Sequence, residues 1–424
     1  MPVGAGVAAT GSPSQSPPPV VTLPPISLDY GAADPLVVEP ASGAIVSDCH
    51  GPQGCRGVEA RRLVADAISR PAHGPPLAAH VVPGDRVVVA LAGDVPQAAE
   101  VLAAVTEAVA EAGADAGDVS VLHAPRLDEG RSSARPAAPP AGAVEFDPAL
   151  DAATAYLAAD EAARPLYMSR TLVDADVVVA VGAWGWNAAL GGRSLEGELW
   201  PTFSRLTCRR DLAIALARRG RHALPDWKSA MQEAAWQLGI CASLRLVAGR
   251  GDALAAAIFD LPDEACRRAR ETAQAWCPHV AAPADVVVAT VADTASGFAG
   301  VTRALAAAAR VARPGGTVCI ACRVADGPGI IFERWRQGAP LDGLVHEAAK
   351  LGDPALVADA LETRLFARAL GDRRLVLLSD IEAETVEELG FGHATPAAVE
   401  RLAHRAESLV VLHEADRMLP TLSG

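Results

Sequence analysis

Residues 83–94 read PGDRVVVALAGD, and the fold follows from them. A Pro-Gly-Asp turn hands over to a β-branched run, 87–91, with no polar face, which suits a strand buried on both sides of a parallel sheet. Residues 97–112 then carry Val101, Leu102, Val105 and Val109 on one helical stripe and stop at Gly113, and 119–122 form a second apolar strand. Strand, helix, strand is the unit of a parallel sheet with right-handed crossovers.

Outward from this unit the alternation continues. A strand over 176–181 runs into GAWGWNAALGGRS at 182–194, and a helix over 229–238 precedes a strand at 244–247. It restarts at 284 with ADVVVAT, a helix over 301–311, the turn and strand PGGTVCIAC, a helix around 356–370, RLVLLS, a helix over 396–406 and SLVVLH. The expected class is α/β with two lobes, each a mainly parallel sheet flanked by helices, and a cleft between them. The boundaries expected are a Pro/Ser/Gly tail over 1–26, an N-terminal lobe over 27–280 and a C-terminal lobe over 281–424. Residues 27–80 read as irregular except for a helix at 58–68, and 123–150 reads as a long loop at the carboxyl end of a strand.

Composition narrows the partners. Of 424 residues half are hydrophobic and 21% charged, which excludes a disordered chain. The net charge of −14 sets up a field that repels phosphate backbones and anionic lipid heads, so neither nucleic acid nor a membrane is expected as a partner. No basic start leads into an apolar core and no run approaches the ~18 apolar residues of a membrane span, so a cytoplasmic location is expected. Eight cysteines are too few for a disulfide scaffold. Only Lys228 and Lys350 are lysines, so a chemistry that needs a lysine tether must use one of them.

Several groups are candidates for chemistry. Cys319 and Cys322 spell CxxC within an expected strand, where positions i and i+3 face opposite ways, and read as buried structural thiols. Cys49, His50 and Cys55 lie beside Asp48, but no second CxxC or HxxxH completes a tetrahedral metal set, so they read as incidental to a loop. The segment 182–194 matches neither GxGxxG nor a Walker A pattern. Its Trp184, Trp186, Gly191, Gly192 and Arg193 either line a pocket or pack where the lobes meet. Carboxyl ends of strands in open α/β sheets collect ligand groups, which nominates Asp94 and the loop of Arg126, Asp128 and Arg131. His123 ends its strand and reads first as a hydrogen-bonded structural residue.

Taken in order, LDYGAADPLVVEP, VVPGDRVVVALAGD, the GGRS segment, residues 229–260, ADVVVAT, residues 303–329 and RRLVLLSDIEAETVEELGF resemble the nickel-dependent lactate racemase family. The resemblance extends from residue 27 to 424 and lies in order and extent, with no short decisive motif. It implies two α/β lobes holding a nickel-pincer nucleotide in the cleft, and hydride transfer from the carbon of a 2-hydroxy acid to the cofactor and back.

Position by position the resemblance implies a loss. The family's Asp-x-x-Arg-Pro becomes Asp94, Val95, Pro96 and Gln97, keeping the acid and losing the arginine that clamps a carboxylate. The general-base histidine falls on Asp128, and the second histidine falls near Trp184, which neither accepts a proton nor ligates a metal. The anchoring lysine falls on Arg193 or Ser194 after Gly191 and Gly192, and the Gln-x-x-Lys pair becomes Gly300 and Arg303. The first expectation is a divergent relative with a degenerate site that binds a small carboxylate or cofactor in the cleft. The alternatives are an active racemase or epimerase with a non-covalently held nickel-pincer nucleotide, using Asp94 and Asp128 as acid and base and Arg193 and Arg303 as counter-charges, or a cofactor-free two-lobed binding protein.

Overall fold

The computed structural model describes residues 24–124, 141–161, 163–291 and 296–423. Its frame, among the described residues, is two six-stranded sheets. The first runs through Leu254–Asp260, Ser243–Ala248, Val177–Ala183, Val87–Ala92, Val119–Ala124 and Ala143–Glu145, parallel throughout except for the antiparallel edge Leu254–Asp260. The second runs through Gly392–His393, Arg374–Leu378, Ala312–Ala321, Ala284–Thr290, Ser408–Leu412 and Ile45–Cys49, all parallel. Every residue of VVVALA in Val87–Ala92 is buried, as a strand covered by helices on both faces requires. The following helix Ala98–Glu111 buries Val101, Leu102, Val105 and Val109.

Each sheet has a point where successive strands depart to opposite sides. In the first it lies between Val87–Ala92 and Val177–Ala183, and in the second between Ala284–Thr290 and Ser408–Leu412. Connections diverge there at the carboxyl ends, which opens the crevice where such sheets bind ligands.

Residues 27–80, expected to be irregular outside one helix, instead carry strands, and residues 26–49 do not join the first sheet. The strands Ile26–Leu28 and Leu36–Val38 form a hairpin whose Leu28, Leu36 and Val38 pack with Val286, Val288 and Val411 of the second sheet. Ile45–Cys49 is an edge strand of that sheet, in register from Ile45 beside Ser408 to Cys49 beside Leu412. The chain then crosses to the first sheet, where Cys55 bridges to Leu254. Most of the tail expected over 1–26 lies outside the described residues, although Ile26 already belongs to a strand.

The two sheets share a continuous apolar core. Val247 and Ile258 of the first sheet, the alanine face of helix Pro262–Ala273, and Trp276 pack in one cluster with Val287, Ile320 and Leu412 of the second. No helix among the described residues is long and apolar enough to cross a membrane.

Cys319 lies in the core on one face of the second sheet and Cys322 in the core on the other, and all eight cysteines are unpaired. Burial pushes the Cys319 thiol up to about 12 and the Cys322 thiol up to about 11, so neither presents a thiolate near neutral pH. Alkylation of the native protein with iodoacetamide at mildly alkaline pH is therefore expected to mark exposed Cys241 first and leave Cys319 and Cys322 unmodified until denaturant is added. Peptide mass mapping checks this, and early labelling of Cys319 would contradict it.

Candidate functional site

Asp94 and Trp184 end up on opposite sides of the first switch point, directly after Val87–Ala92 and Val177–Ala183. Beside Asp94, the penultimate residue of the next strand is His123, which is buried, with its Nε2 3.8 Å from Asp94 Oδ1. The pair is thus a carboxylate and an imidazole at the carboxyl end of the sheet. Asp128, Arg126 and Arg131 lie outside the described residues. Gln97, where the resemblance expects a clamping arginine, is turned away from this task. Its backbone is left-handed at φ 54°, its Oε1 accepts from Gly57 N–H at 2.7 Å, and its Nε2 donates to Asp252 Oδ2 at 2.6 Å.

The segment 182–194 folds back over the end of its own strand. Trp186 pairs with Arg193 and Asn187 with Gly192 in a short antiparallel ladder, and Ser194 N–H donates to the Gly185 carbonyl at 2.9 Å. Two glycines let it sit there, since a methyl at Gly182 would stand 2.5 Å from the Gly197 Cα, while Gly197 itself has φ 82°. Of the diglycine only Gly191, at φ 72°, needs to be glycine; a side chain at Gly192 would point into open space.

The Trp pair is part of the packed core between the sheets. Trp184 is buried there, edge-on to Trp186 at 5.0 Å, and the Trp186 indole N–H donates to the Ala273 carbonyl at 2.7 Å. The Arg193 guanidinium lies 5.4 Å over the Trp184 ring and is ion-paired with Glu198. Glu198 also faces Arg245 of the neighbouring strand at 3.7 Å, and Arg245 donates to the Gly197 carbonyl. Two guanidiniums therefore share one carboxylate. Among the described residues, the Trp184 Nε1, Arg193 Nε and Arg245 Nε hydrogens are buried without an acceptor. Arg303 lies on the second lobe's helix Gly297–Ala309, largely buried, donating to Ser296 Oγ at 2.7 Å.

A second constellation stands at the carboxyl ends of Ile45–Cys49 and Ser408–Leu412. Asp48 Oδ1 lies 2.8 Å from His413 Nε2, and Asp48 Oδ2 lies 3.2 Å from His50 Nε2. The two imidazoles stack at 3.8 Å. Burial alone would raise the Asp48 carboxyl, yet the hydrogen bonds and charges of His413 and His50 outweigh it and hold Asp48 below its ordinary value. The loop read around Cys49, His50 and Cys55 is thus the end of a strand, and the groups it assembles are histidines and a carboxylate. Adjacent Glu414, raised mainly by burial, accepts from Gly251 N–H at 2.8 Å, and Arg250 Nε donates to the Gly51 carbonyl at 2.8 Å. Loops at the carboxyl ends of both sheets meet here.

No family model and no curated protein matches this sequence. Solved structures do. The lactate racemase apoprotein of Thermoanaerobacterium thermosaccharolyticum superposes with a TM-score of 0.72 over 94% of this chain and 100% of its own, at 16% identity. The chain has the fold of lactate racemase. A protein of Thermotoga maritima solved as a structural-genomics target is also similar, with a TM-score of 0.55, 12% identity, and coverage of 86% of this chain and 98% of that one.

The lactate racemase resemblance implies a lysine at the hairpin for covalent attachment of a pincer nucleotide, and the donor chemistry there does not fit. Arg193 and Ser194 occupy the place, Arg193 is already paired with Glu198, and Ser194 is buried, accepting from Glu196 N–H. Both lysines are exposed, Lys228 on helix Leu224–Gln237 and Lys350 on helix Leu341–Leu351.

Proposed function

We propose that this chain is a divergent relative of lactate racemase with a degenerate site, which binds a small carboxylate between the carboxyl ends of its two sheets and does not carry a covalently anchored pincer nucleotide. One observation carries the reading. The Trp184, Arg193, Arg245 and Glu198 knot holds two cations, one anion and three buried N–H groups without acceptors among the described residues. Buried donors without acceptors cost about 1–3 kcal/mol each, and a small carboxylate offers several acceptor lone pairs and the missing negative charge.

The test has two measurements. After co-expression with pincer-cofactor synthesis enzymes in nickel-supplemented medium, intact-protein mass spectrometry reads any covalently attached nucleotide and the nucleotide released on denaturation is quantified separately, beside an active racemase as control. Calorimetry then titrates the untreated protein with 2-hydroxy and 2-keto carboxylates. The expected result is no pincer nucleotide, together with saturable carboxylate binding weakened about 10- to 100-fold in Arg193→Ala, the value of one charge-assisted hydrogen-bonded pair. Stoichiometric pincer nucleotide, or carboxylate binding indifferent to Arg193, would overturn it.

The buried His123 beside Asp94 favours a second reading, a retained racemase or epimerase of a 2-hydroxy acid with the cofactor held non-covalently. Released pincer nucleotide together with interconversion of the two enantiomers in a chiral assay would decide for it.

A further inference from the structure

We infer that Asp48, His50 and His413 form a site for one divalent transition-metal ion of the zinc, cobalt or nickel class, separate from the Trp184 and Arg193 knot. The three residues come from strand ends that parallel pairing sets side by side, Asp48 beside Val411 and Cys49 beside Leu412, with His413 N–H bonded to the Cys49 carbonyl. One ligand atom from each lies within 4.8 Å of the other two.

The donor set selects the metal class. Two imidazoles and one carboxylate are borderline ligands that suit zinc and its neighbours, whereas calcium and magnesium take oxygen almost exclusively. Three protein ligands leave positions for water or a ligand, as in open zinc sites. His413 is mostly buried, while Asp48 and His50 are partly exposed, so an ion has both a fixed floor and a way in. Two neighbouring arginines are engaged elsewhere. Arg250 donates to the Gly51 carbonyl, and Arg417 donates to Glu414 and to the Gly251 carbonyl.

Each histidine Nε2 faces Asp48, and the rings lie 19° from parallel. Donors around a tetrahedral ion with bonds of about 2.1 Å stand about 3.4 Å apart. Binding therefore displaces the Nε2 protons shared with Asp48, each passing to water or giving way to the Nδ1–H tautomer of its ring, and turns the two rings about their Cβ–Cγ bonds until both Nε2 lone pairs converge on the ion. The stacking contact is lost on binding, which supplies a readout independent of activity.

The test uses the tag-free full-length protein, stripped with chelator and titrated with cobalt(II). One ion per chain is expected, with visible ligand-field bands that zinc(II) abolishes by displacement. His50→Ala and His413→Ala should each weaken binding at least about 100-fold, beyond what loss of an outer-shell partner costs, while His279→Ala, exposed on another segment, should leave it unchanged. Should the variants fail to fold, histidine nitrogen spectra of the unmodified protein serve instead, where zinc must shift the ring nitrogens of two histidines and of no others. Absence of cobalt binding, or binding that survives loss of either histidine, overturns the assignment. Because the pincer nucleotide is read by its own mass, attached or released, metal at this site does not confuse the two tests.

Discussion

Glu198→Ala is expected to lower stability by about 3 kcal/mol near neutral pH, seen as a lower urea midpoint with an unchanged slope. The carboxylate is 16% exposed and stands between Arg193 and Arg245, whose side chains are 31% and 10% exposed. Removing one partner of a buried pair leaves an uncompensated charge, at a cost of roughly 3–5 kcal/mol, and the partial exposure of Arg193 places this case at the lower end. Glu198→Gln keeps an acceptor and should lose roughly half as much. In an Arg193→Ala background the Glu198→Ala cost should shrink, since the two residues share one network. A loss below about 1 kcal/mol in the single variant would mean that the guanidiniums find water as readily as they find Glu198.

Gly182→Ala should cost a similar ~3 kcal/mol, for a different reason. The added methyl would lie 2.5 Å from the Gly197 Cα and 2.6 Å from its carbonyl oxygen, and backbone cannot rotate out of the way as a side chain can. The loop must lift, carrying Glu198 from Arg193 and Arg245 and disturbing the Trp184 and Trp186 packing. Near-ultraviolet circular dichroism of the tryptophans should change along with the thermal midpoint. Gly185→Ala is the control in the same segment: nothing lies within 4 Å of its added methyl and its φ is ordinary, so a change within about 0.5 kcal/mol is expected. Equal losses at both positions would remove the close approach of strand and loop as the cause.

The residues that announced their structure were those whose signal is local. VVVALA, the apolar run over 176–181, ADVVVAT and SLVVLH are runs whose composition alone marks strands, and Asp94 and Trp184 fall at strand ends because the first two end there. Ile45–Cys49 is different. IVSDC is short, mixed and half exposed, and it becomes a strand only because Ser408–Leu412 offers it a paired edge. The same distance hid the Asp48, His50 and His413 constellation, whose members looked like a loop and an unremarkable strand end. The pairing of Arg193 with Glu198 and Arg245 was equally out of reach, because it depends on the loop return that Gly182 and Gly197 permit.

The edge position of Ile45–Cys49 also bears on synthesis. Its partner strand emerges about 360 residues later, which at ~5–20 residues per second is a delay of roughly 20–70 s. For that time the edge strand has no strand to pair with, and the hairpin waits for Val286 and Val288 and then Val411, while the whole first sheet can form in between. Vectorial folding therefore completes an inserted unit before the unit that surrounds it, and a holdase engaged with the nascent amino-terminal segment has its window of action set by the ribosome's arrival at Leu412.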